Sequence, residues 1–222
     1  MDTEKKAKAE LFSPRYLVYD FVKVTAALPG LIVMRPKWYY ESPEAKRRIR
    51  GGAVVISNHY GFFDPMYLMC AIWYRRHHFV CGKEFFESRA RWWFKSFLCI
   101  PVDRENFSMS SLRAISDELR KGSLVSLFPE GHINGREENV GSFKSGMVLM
   151  ALQGKVPIVP VYVQPKKHFY SRSRFVIGEP IDIMKICGPR PTFTQIGEVA
   201  ELLKNKEENL RTILETRKGG RS

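Results

Sequence analysis

An α/β fold is what this sequence predicts, with one mostly parallel central sheet flanked by helices in a single domain. Three observations lead there. Residues 53–57, 124–128 and 158–163 are short, continuous apolar runs, the pattern of strands buried on both faces. Helix-patterned segments separate these runs, so strands alternate with helices. A chain of 222 residues that is 44% hydrophobic also fills one ordinary core.

Residues 1–50 are set apart as an N-terminal helical segment and basic linker, and 51–222 as the main domain. Residues 1–10 are charged and contain no cleavage-site pattern, so no signal peptide is expected. The apolar stretch 16–34 approaches spanning length. Asp20 and Lys23 interrupt it, and Pro29-Gly30 break it. A charge at mid-bilayer depth costs about 2.5–3.5 kcal/mol. The stretch therefore reads as a helix lying in or dipping into a membrane interface, followed by a turn and a short apolar segment. A helix packed on its own domain is the alternative.

After the basic linker 46–52 comes the strand 53–57, a helix from 64 to 74, a strand at 78–81 and a helix over 83–98 with an aromatic face. The run 99–102 is short and apolar. Residues 108–121 form an amphipathic helix, opened by a serine and stopped before Gly122. The series closes with the strand 124–128, a helix 145–153 ended by Gly154, strands 158–163 and 174–177, and a charged helix over 192–217.

Thirty-six basic against 23 acidic residues give a formal charge of +13, which points to anionic partners: nucleic acid, anionic lipid headgroups or phosphorylated substrates. Residues 89–97 interleave Arg89, Arg91 and Lys95 with Trp92, Trp93, Phe94 and Phe97. Such rings favour the headgroup level, and each base near anionic lipid contributes about 1 kcal/mol. An aromatic core helix with basic edges is the alternative. Base stacking would use the same residues, but no nucleic-acid motif accompanies them, so no nucleic-acid partner is expected. Cys70, Cys81, Cys99 and Cys187 lie at no metal-ligand spacing, so reduced thiols in a cytosolic compartment and no metal site are expected.

Four short blocks carry chemistry. Asn58-His59-Tyr60-Gly61-Phe62-Phe63-Asp64-Pro65 directly follows a buried strand, where open α/β sheets gather reactive groups. An Asp at this spacing reaches the imidazole, fixes its tautomer and leaves the other ring nitrogen as a general base. The block holds no Ser or Cys nucleophile. The attacking hydroxyl then comes from the substrate and transfer is direct. Taken alone, the spacing also arises by chance in a structural role. Phe128-Pro129-Glu130-Gly131 likewise follows a strand, and Lys144 precedes a helix N-terminus, a combination suited to anions. Arg104 lies just past the run 99–102 and could fork onto a phosphate; a surface Arg paired with Asp103 is the alternative. Pro157 and Pro160 suit the entry and end of a short strand, not its interior.

In this order the blocks resemble the glycerophosphate acyltransferase superfamily, which includes 1-acylglycerol-3-phosphate acyltransferases. The resemblance spans roughly residues 50–165. It implies a catalytic domain over 51–222 that moves an acyl group from acyl-CoA or acyl carrier protein to a lysophospholipid hydroxyl, without cofactor. 1-Acylglycerol-3-phosphate giving phosphatidic acid is the leading acceptor. His59 then corresponds to the base and Asp64 to its orienting partner. Asn58 falls in the same block and is grouped with substrate-binding Arg104, Glu130, Gly131 and Lys144; Pro160 corresponds to a pocket wall. The implied place is the cytoplasmic face of an anionic membrane. Glycerol-3-phosphate or another lysolipid as acceptor, and a non-catalytic lipid binder on the same fold, are the alternatives. The chain departs from the family pattern at Gly61, where Ser is usual. It departs again at His132-Ile133 in place of Thr-Arg, for which Arg136 or Lys144 could compensate, and at Leu98 in place of Gly.

Overall fold

The structure is a computed structural model, and it describes residues 16–103, 107–133, 142–164 and 171–219. Arg104 and Arg136 therefore lie outside the described residues. In chain order the elements are α1 (Leu17–Met34), β1 (Lys37–Tyr40), β2 (Ala53–Ser57), α2 (Asp64–Ala71), β3 (His77–Gly82), α3 (Glu84–Glu87), α4 (Arg91–Ser96) and β4 (Ile100–Val102). There follow α5 (Met109–Arg120), β5 (Leu124–Leu127), α6 (Gly146–Gly154), β6 (Ile158–Gln164), β7 (Arg174–Ile177), α7 (Ile183–Cys187) and α8 (Phe193–Gly219).

Among the described residues the strands form one seven-stranded sheet, ordered β1-β7-β6-β2-β5-β3-β4. Every neighbouring pair is parallel except β6 with β7. β2 lies inside the sheet, with Val54 opposite Val125 of β5 and Ile158 of β6. Its alternating side chains serve two cores. Val54 and Ile56 pack with Leu112 and Ile115 of α5, Met147 and Val148 of α6, and Leu203 of α8. Ala53 and Val55 pack on the other face with Leu68 and Ala71 of α2. Both faces are covered, which is why the strands read as unbroken apolar runs.

Three local expectations give way. Helix α1 is continuous through Pro29, where the sequence suggested a break. A proline removes a single helical N–H, and here the turns on either side persist. Tyr19 anchors the helix: it is fully buried and its hydroxyl accepts from His77 N at 3.0 Å. Asp20 meets the Arg76 guanidinium at 2.6 Å. The opposite side of α1 exposes Leu17, Phe21, Val24 and Ile32. Among the described residues, no helix is long and apolar enough to cross a membrane. The helix expected over 83–98 is instead two, α3 and α4. Between them Ser88 is extended, its hydroxyl donating to Phe85 O and accepting from Ala90 N, local bonds that compete with helix.

Pro160 sits inside β6, not at its end. Gly178 N donates to Pro160 O, so the proline nitrogen faces Gly178, past the end of β7, where no ladder bond within that strand is lost. Strand β1, not foreseen, adds Lys37–Tyr40 to the sheet through β7. Leu98 has φ of 58°, the left-handed region that favours glycine, and is held there by burial against Tyr16 and Tyr19.

The Arg75 guanidinium donates to Ile49 O, Gly51 O and Gly122 O, fastening the linker ahead of β2. Arg75→Ala strands these carbonyls and is expected to lower unfolding free energy by about 2–4 kcal/mol in urea denaturation. An unchanged midpoint would mean that water replaces the guanidinium at no cost.

Candidate active site

The site begins where β2 ends. Asn58 is buried, and its side chain brackets one residue of the neighbouring strand: Nδ2 donates to Val163 O at 2.9 Å and Oδ1 accepts from Val163 N at 2.8 Å. That double bond pins the chain as it leaves the sheet. The loop turns at Gly61, whose N–H donates to Asp64 Oδ2 at 2.7 Å. Asp64 opens α2 with Pro65 beside it, the favoured arrangement of acid and proline in a first helical turn.

These constraints bring His59 Nδ1 to 2.8 Å from Asp64 Oδ2. The carboxylate is acceptor only, so Nδ1 carries the proton and Nε2 keeps its lone pair. Asp64 is almost wholly buried, while the His59 side chain is 17% exposed. The imidazole stacks on Phe128, with centroids 4.2 Å apart and planes at 15°. Phe128 is a positioning surface that sequence reading placed in a motif without assigning it this role.

The corner after β5 supplies a second brace. Glu130 is buried and its Oε1 accepts from His59 N at 3.3 Å. Gly131 has φ of 74°, and a Cβ there would fall 2.9 Å from Lys144 Cε, so glycine lets the lysine stem lie against the corner. Lys144 N also donates to Pro129 O at 2.9 Å.

His59, Gly131 and Lys144 line one cavity of about 1830 Å³ that runs on to α1 and α4. Its far walls include Leu31, Met34, Met69 and Phe97. Residues grouped as substrate-binding in the sequence thus divide. Gly131 and Lys144 face the cavity. Asn58 and Glu130 are spent inside the protein, as braces for His59, and neither lines the cavity. Pro160 is buried in the sheet near Gly178 and Leu210 and is not a wall of the cavity, because its strand position aims it at α8. Asp103, a potential partner of Arg104, bonds Lys83 at 2.7 Å. The contribution of α1 to the cavity was not readable in advance, since it depends on how that helix docks.

Comparison with known proteins adds independent findings. A family model described as Acyltransferase matches residues 38–164. A 1-acyl-sn-glycerol-3-phosphate acyltransferase of Bacillus subtilis (strain 168) is 34% identical over 139 residues, covering 59% of this chain and 67% of the relative. The protein of the same description from Streptococcus pneumoniae (strain ATCC BAA-255 / R6) is 35% identical over 141 residues, covering 60% of this chain and about half, 51%, of the relative's own length. The crystal structure of the 1-acyl-sn-glycerophosphate acyltransferase of Thermotoga maritima is similar in fold, with a TM-score of 0.62 at 18% identity, covering 90% of this chain and 80% of that one.

Nitrogen-15 NMR of the His59 ring tests the tautomer. The wild type is expected to show a protonated Nδ1 and a bare Nε2 at alkaline pH. Asp64→Asn, which offers a neutral amide in place of the carboxylate, should shift the ring toward the other tautomer. The same tautomer in both proteins would remove Asp64 from this role.

Proposed function

Because the chain belongs to the Acyltransferase family, we propose that it transfers a fatty acyl group from a thioester donor, acyl-CoA or acyl carrier protein, to the free hydroxyl of 1-acylglycerol-3-phosphate, giving phosphatidic acid. The observation that carries this is the His59–Asp64 pair opening onto a large cavity with apolar far walls. The names of the curated relatives support the acceptor.

In the proposed reaction, Nε2 of His59 takes the proton from the acceptor hydroxyl as its oxygen attacks the thioester carbonyl. The imidazolium that forms is stabilised by Asp64 at Nδ1. Collapse of the tetrahedral intermediate breaks the carbon–sulfur bond, and His59 returns the proton to the departing thiolate. The thioester is already activated, so the reaction as proposed needs no cofactor. Lys144 and Arg104 are assigned to the acceptor phosphate, where charge-assisted contacts are about twice as strong as neutral hydrogen bonds.

The acceptor resides in a membrane, and a peripheral position on its cytoplasmic face is part of this reading. Exposed Leu17, Phe21 and Val24 of α1 and Trp92 and Trp93 of α4 supply apolar area, while Arg89, Arg91 and Lys95 supply charge. Peripheral anchoring takes two such signals.

In assays of thiol release from acyl-CoA with lysophosphatidate, His59→Ala is expected to lose about 10²–10⁴-fold in kcat while remaining folded. Lys144→Ala should raise the acceptor KM far more than the donor KM. Full activity of the His59 variant would refute the base. Equal effects on both KM values would make Lys144 structural.

Co-sedimentation with anionic vesicles tests the surface. Salt screens charges over about 8 Å at physiological strength, so high salt should weaken binding without abolishing it. Phe21→Ser with Val24→Ser should weaken it further. Protein left in the supernatant at low salt would contradict membrane docking.

A further inference from the structure

The two neighbours of His59 reach the same place. Strand β2 lies between β6 and β5, and the residues that follow it are tied to each in turn. Asn58 brackets Val163 of β6. His59 is tied toward β5 instead, its ring stacked on Phe128 and its peptide N–H donating to Glu130, both at the corner after that strand. Tyr60 returns to β6, where its hydroxyl lies 2.8 Å from that of Tyr162, the residue just before Val163. One phenol donates and the other accepts. Tyr162 is 2% exposed and packs with Val176 of β7 and with Leu210 and Leu214 of α8, so its ring is a fixed post. Burial holds both phenols above their ordinary range, and both keep their protons.

The proposed reaction gives neither tyrosine a step, and neither lines the cavity. We propose that Tyr60 and Tyr162 are positioning residues for His59: their hydroxyl pair ties the reacting loop to β6 and so keeps the imidazole on Phe128 and against Asp64. The loop past Tyr60 has little packing of its own. Phe62 and Phe63 are 75% and 61% exposed, and a Cβ at Gly61 would meet nothing within 4 Å. Glycine also leaves the backbone more freedom than any other residue. At the far end the loop is closed by Asp64, which accepts from Gly61 N and bonds His59 Nδ1. At the near end it is closed by Asn58 and the tyrosine pair. Without the pair, residues 60–63 are free to pivot between those two ends, and the ring spends time away from Asp64. That loss falls on rate and not on affinity, because the tyrosines touch no substrate and small misplacements of reacting groups are costly.

The kinetic part of the test rests on the acyl transfer proposed above, and the spectroscopic part does not. Tyr60→Phe and Tyr162→Phe each remove one oxygen and keep the ring. Each is expected to lower kcat about tenfold with both KM values little changed. The double variant should lose no more than either single, because all three lack the same bond. It leaves no hydroxyl unpaired, so its thermal stability should recover relative to Tyr60→Phe, which strands the buried Tyr162 hydroxyl. Its kcat should stay low. Gly61→Ala, at a position with room for a Cβ, stiffens the loop and should restore part of the kcat of Tyr60→Phe. In NMR, the proton on His59 Nδ1 should exchange with water faster in each Phe variant than in the wild type. An unchanged Nδ1 proton in all three variants would overturn the proposal. So would single losses in kcat that multiply in the double variant, or a kcat that recovers together with its stability. If the wild type transfers no acyl group, the functional reading fails, while the Nδ1 proton still decides the role of the tyrosine pair.

Discussion

The site depends on where β2 stops. A strand paired on both sides cannot slip without carrying β5 and β6 with it, and all five residues of β2 are buried. The chain therefore leaves the sheet at a fixed point after Ser57. The Asn58–Val163 bracket extends that certainty by one residue, beyond the ladder itself. From there to Asp64 the loop has few ways to run, because Asp64 opens α2, and α2 is held against Val55 and Val159 through Leu68. The distance of 2.8 Å between His59 and Asp64 is the consequence of two separately packed elements meeting, not of the six-residue loop alone.

Charge is distributed in two layers. The chain as a whole carries a formal +13, suited to anionic surfaces and substrates. Around His59 the order is reversed: buried Asp64 meets its ring and buried Glu130 its peptide N–H. A carboxylate in a site shielded from water acts strongly on a ring bonded to it. In the proposed reaction Asp64 favours the imidazolium formed at His59, so preorganised charge serves the step in which charge develops. Stacking on Phe128 keeps one face of the ring dry and limits its rotation.

Much of this was legible in the sequence, for physical reasons that differ by element. Strands β2, β5 and β6 announce themselves because burial on both faces demands unbroken apolar runs. Amphipathic α5 was framed correctly by its Ser108 cap, which accepts from Ser111 N. His59 with Asp64 stood out because spacing and strand end are local properties. What failed was non-local. Pro160 read as a strand end because the sequence does not say that β7 stops opposite it. Pro29 read as a break because propensity cannot see the tertiary contacts of α1. Asn58 and Glu130 fell among substrate contacts, since a motif shows that a residue sits at the site and not which way it faces.

The central claim is that His59, oriented by Asp64, is the base for direct attack by the acceptor hydroxyl. The most direct measurement sets the acid limb of kcat/KM for acyl transfer beside the titration of the His59 ring followed by NMR in the same protein. The account predicts that the two curves coincide, with transfer lost as the ring becomes protonated. Transfer that persists at a pH where the His59 ring is fully protonated would contradict it.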